Sequence, residues 1–258
     1  MMATFSEFGL GRTKDLVEAI KCYEKAAKNN FPEALNHLGR LYETGKGLER
    51  NFKSAFRYYK HAASLGHLDA MTNQARLLQN GFGCESDKLQ AHNVFKIAAD
   101  LGYAKAQNAL GSIYASGVTA TKDTPILKKN NTEAVFWFKK AADQGYAPAH
   151  YNLGVCYEAG MGVLKDYVLS KQFYKKAADF NHAAASCSLG YLYKLEKYFI
   201  LAITQFHVAV SLGSIEAYYH LGMLYECGCE DENGMVIERN IWTALRYYEK
   251  AAQQVFCF

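Results

Sequence analysis

The chain has 258 residues, of which half are hydrophobic and 21% are charged, and its formal net charge at pH 7 is +4. This composition supports a sizeable core, excludes a disordered charged tail and gives no strong signature of nucleic-acid binding. There is no apolar run long enough to cross a membrane and no signal-peptide pattern at the start. The seven cysteines, an odd number, favour a reducing compartment over a disulfide framework.

The chain repeats a hydrophobic pattern along its length. Each copy is anchored on a small residue: Ala19, Ala55, Ala91, Ala134, Ser170, Ala202 and Ala244. The anchors are 36, 36, 43, 36, 32 and 42 residues apart, a spacing typical of helical solenoids. Each unit predicts two helices, helix A around the anchor and helix B after it. The repeats start near residues 15, 51, 87, 130, 166, 198 and 240, and the first and last units are incomplete.

Residues that begin and end helices recur in the same register. An Asp or Asn, which predicts an N-cap, stands four residues before six of the anchors: Asp15, Asn51, Asp87, Asn130, Asp166 and Asn240. Residues that readily adopt the left-handed conformation follow the A helices: Asn30, Gly66, Gly102, Gly145, Asn181 and Gly213. This punctuation supports the two-helix unit.

The predicted core also follows the repeat. An aromatic residue stands four positions after every anchor: Tyr23, Tyr59, Phe95, Phe138, Tyr174, Phe206 and Tyr248. A Leu-Gly dipeptide recurs in helix B at 38–39, 110–111, 153–154, 189–190 and 221–222. We expect each glycine to contact an aromatic ring from a neighbouring helix. We expect looser packing in the second repeat, which carries Gln74-Ala75 in place of Leu-Gly.

The clearest unit, residues 134–166, reads "AVFWFKKAADQGYAPAHYNLGVCYEAGMGVLKD". It resembles the Sel1-like repeat family, whose members are relatives of the tetratricopeptide repeats, and the resemblance extends from about residue 8 to residue 254. It implies an all-α, right-handed α/α superhelical solenoid of about six repeats, forming a single domain over residues 1–258. It further implies that the A helices line the concave face.

The family resemblance implies a non-enzymatic adaptor or scaffold that binds a protein or peptide and needs no cofactor. We expect a cytoplasmic location and no membrane insertion of this segment. The chain begins in what looks like the tail of a B helix and ends in an A helix, so we expect it to be part of a longer protein or complex. If an N-terminal segment is missing, the ER lumen and a part in ER-associated degradation are the alternatives.

An enzyme is the alternative from another class. A cysteine-rich subgroup of the family has been assigned penicillin-binding or β-lactamase activity, and it carries two cysteines per unit at a fixed spacing. Here the seven cysteines fall at different repeat positions, and no HExxH, GxSxG or phosphate-loop motif occurs. The sequences "GKG", "GFG" and "GMG" recur in register, so we interpret them as turns. We expect none of the eight histidines to pair with a carboxylate one helical turn away.

A CxC pair, Cys227 and Cys229, stands beside three acidic residues in the sixth unit. It supplies two of the four ligands of a structural zinc site. Metal binding and disulfide pairing both remain open, but we expect no metal site here. The loop that contains the pair (226–244) and another loop (115–134) carry six and seven extra residues, so we expect both to project from one edge of the array.

Basic and aromatic residues of the A helices form the predicted binding surface. Lysines recur five and six positions after the anchors, and aromatic residues recur three positions after them. The predicted groove comprises Tyr58, Lys60, Lys96, Trp137, Lys139, Lys140, Phe173, Lys175, Lys176 and Tyr247. Such a surface suits an acidic, partly apolar peptide. The 25 acidic residues offset the basic ones, so we expect no nucleic-acid partner.

Overall fold

The computed structural model describes residues 16–118, 127–230, 234 and 236–255, and α-helices dominate this part of the chain. The described residues contain thirteen helices: α1 (Leu16–Lys28), α2 (Pro32–Thr44), α3 (Phe52–Ser64), α4 (Leu68–Asn80), α5 (Lys88–Asp100), α6 (Ala104–Ser116), α7 (Asn131–Ala142), α8 (Ala147–Ala159), α9 (Tyr167–Asp179), α10 (Ala183–Leu195), α11 (Phe199–Ser211), α12 (Ile215–Cys227) and α13 (Ile241–Val255). The odd-numbered helices are the predicted A helices and the even-numbered ones the predicted B helices. The expected α/α repeat is confirmed.

The predicted helix boundaries agree with the observed ones. Four N-cap side chains accept a hydrogen bond from the backbone N–H three residues later, at 2.8–2.9 Å: Asn51, Asp87, Asp166 and Asn240. Asn130 directly precedes α7, and Asp15 lies outside the described residues. All six residues predicted to end an A helix have a left-handed φ, between 58° and 89°. Local chemistry therefore sets where these helices start and stop.

The chain divides into two compact units, residues 1–130 and 131–258. Within each unit, a helix packs mainly against the helices that precede and follow it in sequence. B helices of adjacent repeats also touch, as α4 and α6 do in the first unit and α10 and α12 in the second. Each unit is therefore a stack of helix pairs whose core is built from neighbouring repeats.

The predicted contact between glycine and an aromatic ring joins helix B of one repeat to helix A of the next. A methyl carbon on Gly154 would lie 2.5 Å from the ring of Tyr174, and one on Gly39 would lie 2.6 Å from the ring of Tyr59. The same arrangement joins Gly190 to Phe206 and Gly222 to Tyr248. Because no heavier side chain fits there, glycine lets the two helices approach closely at these positions.

The two long loops depart from the all-α expectation. In the first, Val118 donates its N–H to the carbonyl of Leu127 at 2.8 Å, as an isolated antiparallel bridge. In the second, strand β1 (Cys229–Glu230) pairs with strand β2 (Val236–Ile237) in antiparallel register. Unpaired backbone groups favour such pairing wherever two segments of a loop run side by side. Both long loops are thus closed at their base by strand pairing.

Leu153 is fully buried on α8, whereas Leu164 is 91% exposed in the following loop. We expect Leu153→Ala to lower the free energy of unfolding by ~2–5 kcal/mol, because it removes buried methyl groups and leaves a cavity. Leu164→Ala serves as the matched control and should change the free energy of unfolding by less than ~0.5 kcal/mol. Denaturant unfolding monitored by circular dichroism measures both, and similar midpoints for the two variants would contradict the assigned core.

Candidate functional site

The six lysines of the predicted groove lie on A helices and are exposed. Lys60 belongs to α3 and Lys96 to α5 in the first unit, and the other four belong to α7 and α9 in the second unit: Lys139, Lys140, Lys175 and Lys176. None of the six forms an ion pair with another described residue. Their charges are therefore open to a partner.

In the first unit, Tyr58 is half-buried and stacks on Tyr42 of α2, with ring centroids 5.6 Å apart and planes at 11°. Burial raises the pKa of the Tyr58 hydroxyl, and the neighbouring Tyr42 and Glu24 raise it further. Tyr58 and Lys60 line an open depression of about 430 Å³. The structure thus brings these two predicted residues to one surface.

In the second unit, two of the lysines lie over aromatic rings. The Lys140 ammonium is 4.6 Å from the ring centroid of Phe136 and 4.9 Å from that of Trp137. The Lys176 ammonium is 5.5 Å from the ring centroid of Phe173. Cation–π contacts of this kind restrict the side chains at a surface. The predicted combination of lysines with aromatic residues is therefore present in this unit.

Trp137 is a correction to the predicted groove. It is only 5% exposed, so its ring belongs to the core and offers almost no surface to a partner. The reason is the breadth of the buried face of α7, which also includes Val135. By contrast, Phe173, which stands three positions after its anchor as Trp137 does, is half-buried and stacks on Tyr157 at 5.4 Å.

Tyr247, the last predicted groove residue, is half-buried on α13. Its ring stacks on Tyr225 of α12, with centroids 5.8 Å apart and planes at 19°. Burial raises the pKa of its hydroxyl, as do Tyr225 and Tyr218 nearby. Tyr247 therefore joins a cluster of tyrosines between α12 and α13, where no predicted lysine takes part.

The B helices carry polar networks that the sequence did not reveal. In the first unit, Asp69 of α4 accepts hydrogen bonds from Tyr103 at 2.9 Å, Lys105 at 2.9 Å and Asn36 at 3.2 Å. Burial opposes the charge of this carboxylate, but the hydrogen bond and charge of Lys105, with help from Tyr103 and Asn36, lower the pKa of Asp69 overall. The network ties together the B helices of three repeats.

A second network pairs tyrosine with glutamate. The hydroxyl of Tyr59 donates to Glu43 at 2.8 Å, and the hydroxyl of Tyr174 donates to Glu158 at 2.6 Å. Tyr248 makes the equivalent bond to Glu226 at 2.6 Å. In each case the tyrosine on helix A contacts the glutamate near the end of the preceding helix B. Burial is the larger cause that raises the pKa of all three tyrosines, and the bonded glutamate raises it further.

A small cavity opens between B helices of the second unit. It has a volume of about 160 Å³ and is lined by Glu158, Cys187, Ser188, Tyr191, Glu216 and His220. His220 and Glu216 are one helical turn apart on α12, with His220 Nε2 3.9 Å from Glu216 Oε1. The expectation that no histidine faces a carboxylate at this spacing is therefore wrong.

His220 is held firmly in this cavity. Its ring stacks on Phe206, with centroids 5.0 Å apart and planes at 20°. Burial lowers its pKa and the charge of Lys194 lowers it further, while Glu216 acts in the opposite direction. Burial and Lys194 therefore favour the neutral form of the imidazole.

Five of the described cysteines are free thiols: Cys22, Cys84, Cys156, Cys187 and Cys227. Burial raises the pKa of both Cys156 and Cys187 to about 11. Cys227 is exposed at the end of α12, and Cys229 is half-buried in β1. Within the described residues, neither belongs to a group of three potential metal ligands, and Asp231 and Glu232 of the same loop lie outside that part.

In the part of the chain that the structure covers, no helix has the length and apolar character needed to cross a bilayer.

The sequence matches a family model described as Sel1 repeat. The match covers residues 1–31, 32–67, 68–103, 104–146, 147–182 and 215–255. The chain belongs to the Sel1 repeat family. Residues 183–214 fall outside the matched segments, yet they form the helix pair α10 and α11. The turn between these two helices lies in the shortest interval between anchors, from Ser170 to Ala202. Lys197 takes a left-handed φ of 63° at this turn, which has no glycine.

The matched segments also show where the family's unit begins. Segments 32–67, 68–103, 104–146, 147–182 and 215–255 each start at the first residue of a B helix. The helices named A above are therefore the second helices of these matched segments. That the A helices line a concave face stays a prediction.

Solved structures show the same fold. The chain is 27% identical to a Sel1 repeat protein from Oxalobacter formigenes, with a TM-score of 0.79 over 92% of this chain and 94% of that one. It is 24% identical to a protective antigen of uropathogenic Escherichia coli with an SLR fold, with a TM-score of 0.71. That alignment covers 98% of this chain but 52% of the antigen, so this chain spans about half of the antigen's length.

An immunity protein from Pseudomonas aeruginosa is 22% identical, with a TM-score of 0.58 over 86% of this chain and 81% of that one. At this identity the likeness concerns the fold alone. The comparison with curated proteins gave no significant match.

The Tyr174–Glu158 bond gives a test of the polar network. We expect Tyr174→Phe to lower the free energy of unfolding by ~1.5–3 kcal/mol, because a partly buried carboxylate loses a donor. The double variant Tyr174→Phe with Glu158→Gln should lose less than the sum of the two single variants, since the residues share one bond. Chemical denaturation measures all three, and strictly additive losses would contradict the coupling.

Proposed function

We propose that this Sel1 repeat protein is a non-enzymatic adaptor that binds an acidic, partly apolar segment of a partner protein. Sel1 repeats are in general modules of protein–protein interaction, and the chain contains six matched repeats. The finer proposal concerns the chemistry of the partner and the surface that receives it. It is supported by the second unit, where Lys140 and Lys176 lie over aromatic rings of their own helices.

The observation that carries this proposal is the set of four exposed lysines on α7 and α9, which form no ion pair with the described residues: Lys139, Lys140, Lys175 and Lys176. A carboxylate that approaches them gains attraction without breaking an existing pair. The adjacent rings of Phe136, which is 46% exposed, and Phe173 provide apolar area. Acidic residues interspersed with apolar ones complement both features.

The helical scaffold supports binding in a second way. The lysines project from helices whose other faces are buried in the core, so their backbone is already ordered before a partner arrives. Lys140 and Lys176 are further restricted by their contacts with aromatic rings. A surface that is ordered in advance loses less conformational entropy on binding.

The free thiols bear on the compartment. Cys227 is a free and exposed thiol. An exposed thiol persists most easily where thiols are kept reduced. This supports our proposal of a cytoplasmic location.

Reversing the four charges tests the proposed surface. We expect the variant with Lys139→Glu, Lys140→Glu, Lys175→Glu and Lys176→Glu to bind an acidic peptide containing Leu and Phe at least about tenfold more weakly, since exposed ion pairs contribute ~0.2–1 kcal/mol each. Fluorescence anisotropy of the dye-labelled peptide measures the affinity. Wild-type affinity should also fall between 50 and 200 mM salt, because salt screens exposed charges.

A matched control reverses four exposed lysines elsewhere: Lys28, Lys46, Lys53 and Lys165. This variant has the same net charge as the first, so it separates the effect of location from that of total charge. We expect it to retain most of the wild-type affinity. Equal losses in both variants, with helicity preserved in each, would reject this surface as the binding site.

A further inference from the structure

The cavity between α10 and α12 brings together three side chains that bind metals. Cys187 comes from α10, and Glu216 and His220 come from α12. The thiol sulfur, one carboxylate oxygen and one imidazole nitrogen all lie within 4.8 Å of one another. Among the residues that the structure describes, no other group of three potential ligands lies within this distance.

We propose that Cys187, Glu216 and His220 bind a zinc ion, with a fourth coordination position that opens into the 160 Å³ cavity. Sulfur, imidazole nitrogen and carboxylate oxygen are the three donor types that Zn²⁺ prefers in proteins. Three protein ligands with one open position leave room for a water molecule or for a side chain of a partner. The site is separate from the lysines of the proposed function and does not depend on them.

The distances suit a site that is nearly formed. With Zn–S and Zn–N bonds of ~2.3 and ~2.0 Å, two ligand atoms on a tetrahedral zinc are about 3.5 Å apart. Donor atoms up to 4.8 Å apart therefore need to move by only about 1 Å. Glu216 is exposed and can supply most of this movement, whereas Cys187 and His220 are held by the surrounding helices.

The surroundings of His220 point to a ligand. Its side chain is 14% exposed and its ring is stacked on Phe206. The Nδ1 atom is buried and has no hydrogen-bond partner among the described residues, and Nε2 is too far from Glu216 for a hydrogen bond. Buried polar atoms are normally satisfied. His92 and His150 also have a buried ring nitrogen without a partner, so the distances among the three donor atoms carry the assignment of a metal to His220.

The same residue types also form thiol nucleophiles, but burial argues against that role here. Cys187 is 3% exposed, so its sulfur is closed to a substrate of ordinary size. A zinc ion is small enough to reach it through the cavity. Cys156 provides a useful comparison, since it is equally buried at 3% on α8 but belongs to no such group among the described residues.

Zinc binding by the full chain tests the site directly. The protein is stripped with a chelator, titrated with Zn²⁺ in competition with a chromophoric chelator, and assayed for bound metal by mass spectrometry after gel filtration. We expect one zinc per chain, and we expect Glu216→Gln and His220→Gln each to weaken binding by more than about tenfold, since even residues that only support a ligand contribute 10–100-fold. Circular dichroism checks that each variant is folded.

Co²⁺ in place of zinc reports on the sulfur ligand. We expect a thiolate-to-cobalt charge-transfer band in wild type and in Cys156→Ser, and its loss in Cys187→Ser. If Cys187→Ser does not fold, Glu216→Gln still decides, because Glu216 is exposed and its replacement leaves the core intact. The double variant Cys227→Ser with Cys229→Ser should keep the zinc. Loss of zinc from that variant alone, or unchanged affinity in folded Glu216→Gln and His220→Gln, would overturn the proposal.

Discussion

The contact between an aromatic ring of helix A and a glycine of helix B is the constraint on which the rest of the structure depends. The ring takes the space that a side chain would otherwise fill, so the two helices lie closer than ordinary residues allow. In Gly154 and Tyr174, as in Gly39 and Tyr59, even one methyl group would overlap the ring. The close approach fixes the rotation of each helix about its axis, and that rotation decides which side chains face outwards.

One consequence of this fixed rotation is the tyrosine–glutamate pairing. The ring over the glycine extends towards the end of helix B, so a hydroxyl on the ring meets the second-to-last residue of that helix. Three described tyrosines at this place each bond a glutamate. Where the ring belongs to phenylalanine, the corresponding residues are Gln79, Ala115 and Lys194. A tyrosine therefore stands where helix B carries a glutamate, and a phenylalanine stands where it does not. The sequence shows this correlation but does not identify the hydrogen bond.

The helix pairs and their ends could be predicted from the sequence, because periodic apolar positions and capping residues act locally and recur six or seven times. The exposure of the lysines followed from the same register. The burial of Trp137 could not be predicted, since it depends on how wide the packed face of α7 is. The cluster of Cys187, Glu216 and His220 was missed because it joins two helices about thirty residues apart, in the unit where the repeat is shortest. The strand pairs of the long loops are too short to show a pattern.

Those strand pairs have a consequence for how this fold tolerates change. The pairing of Val118 with Leu127, and of β1 with β2, returns the chain to nearly the same point after each long loop. In the second unit, α13 then receives the chain from α12 in the same place whatever the number of residues between β1 and β2. Closing a longer loop adds little entropic penalty, about 0.6 kcal/mol for each doubling of length. These two positions are therefore natural entry points for foreign sequence, where a reporter domain or an epitope can be inserted without disturbing the stacked repeats.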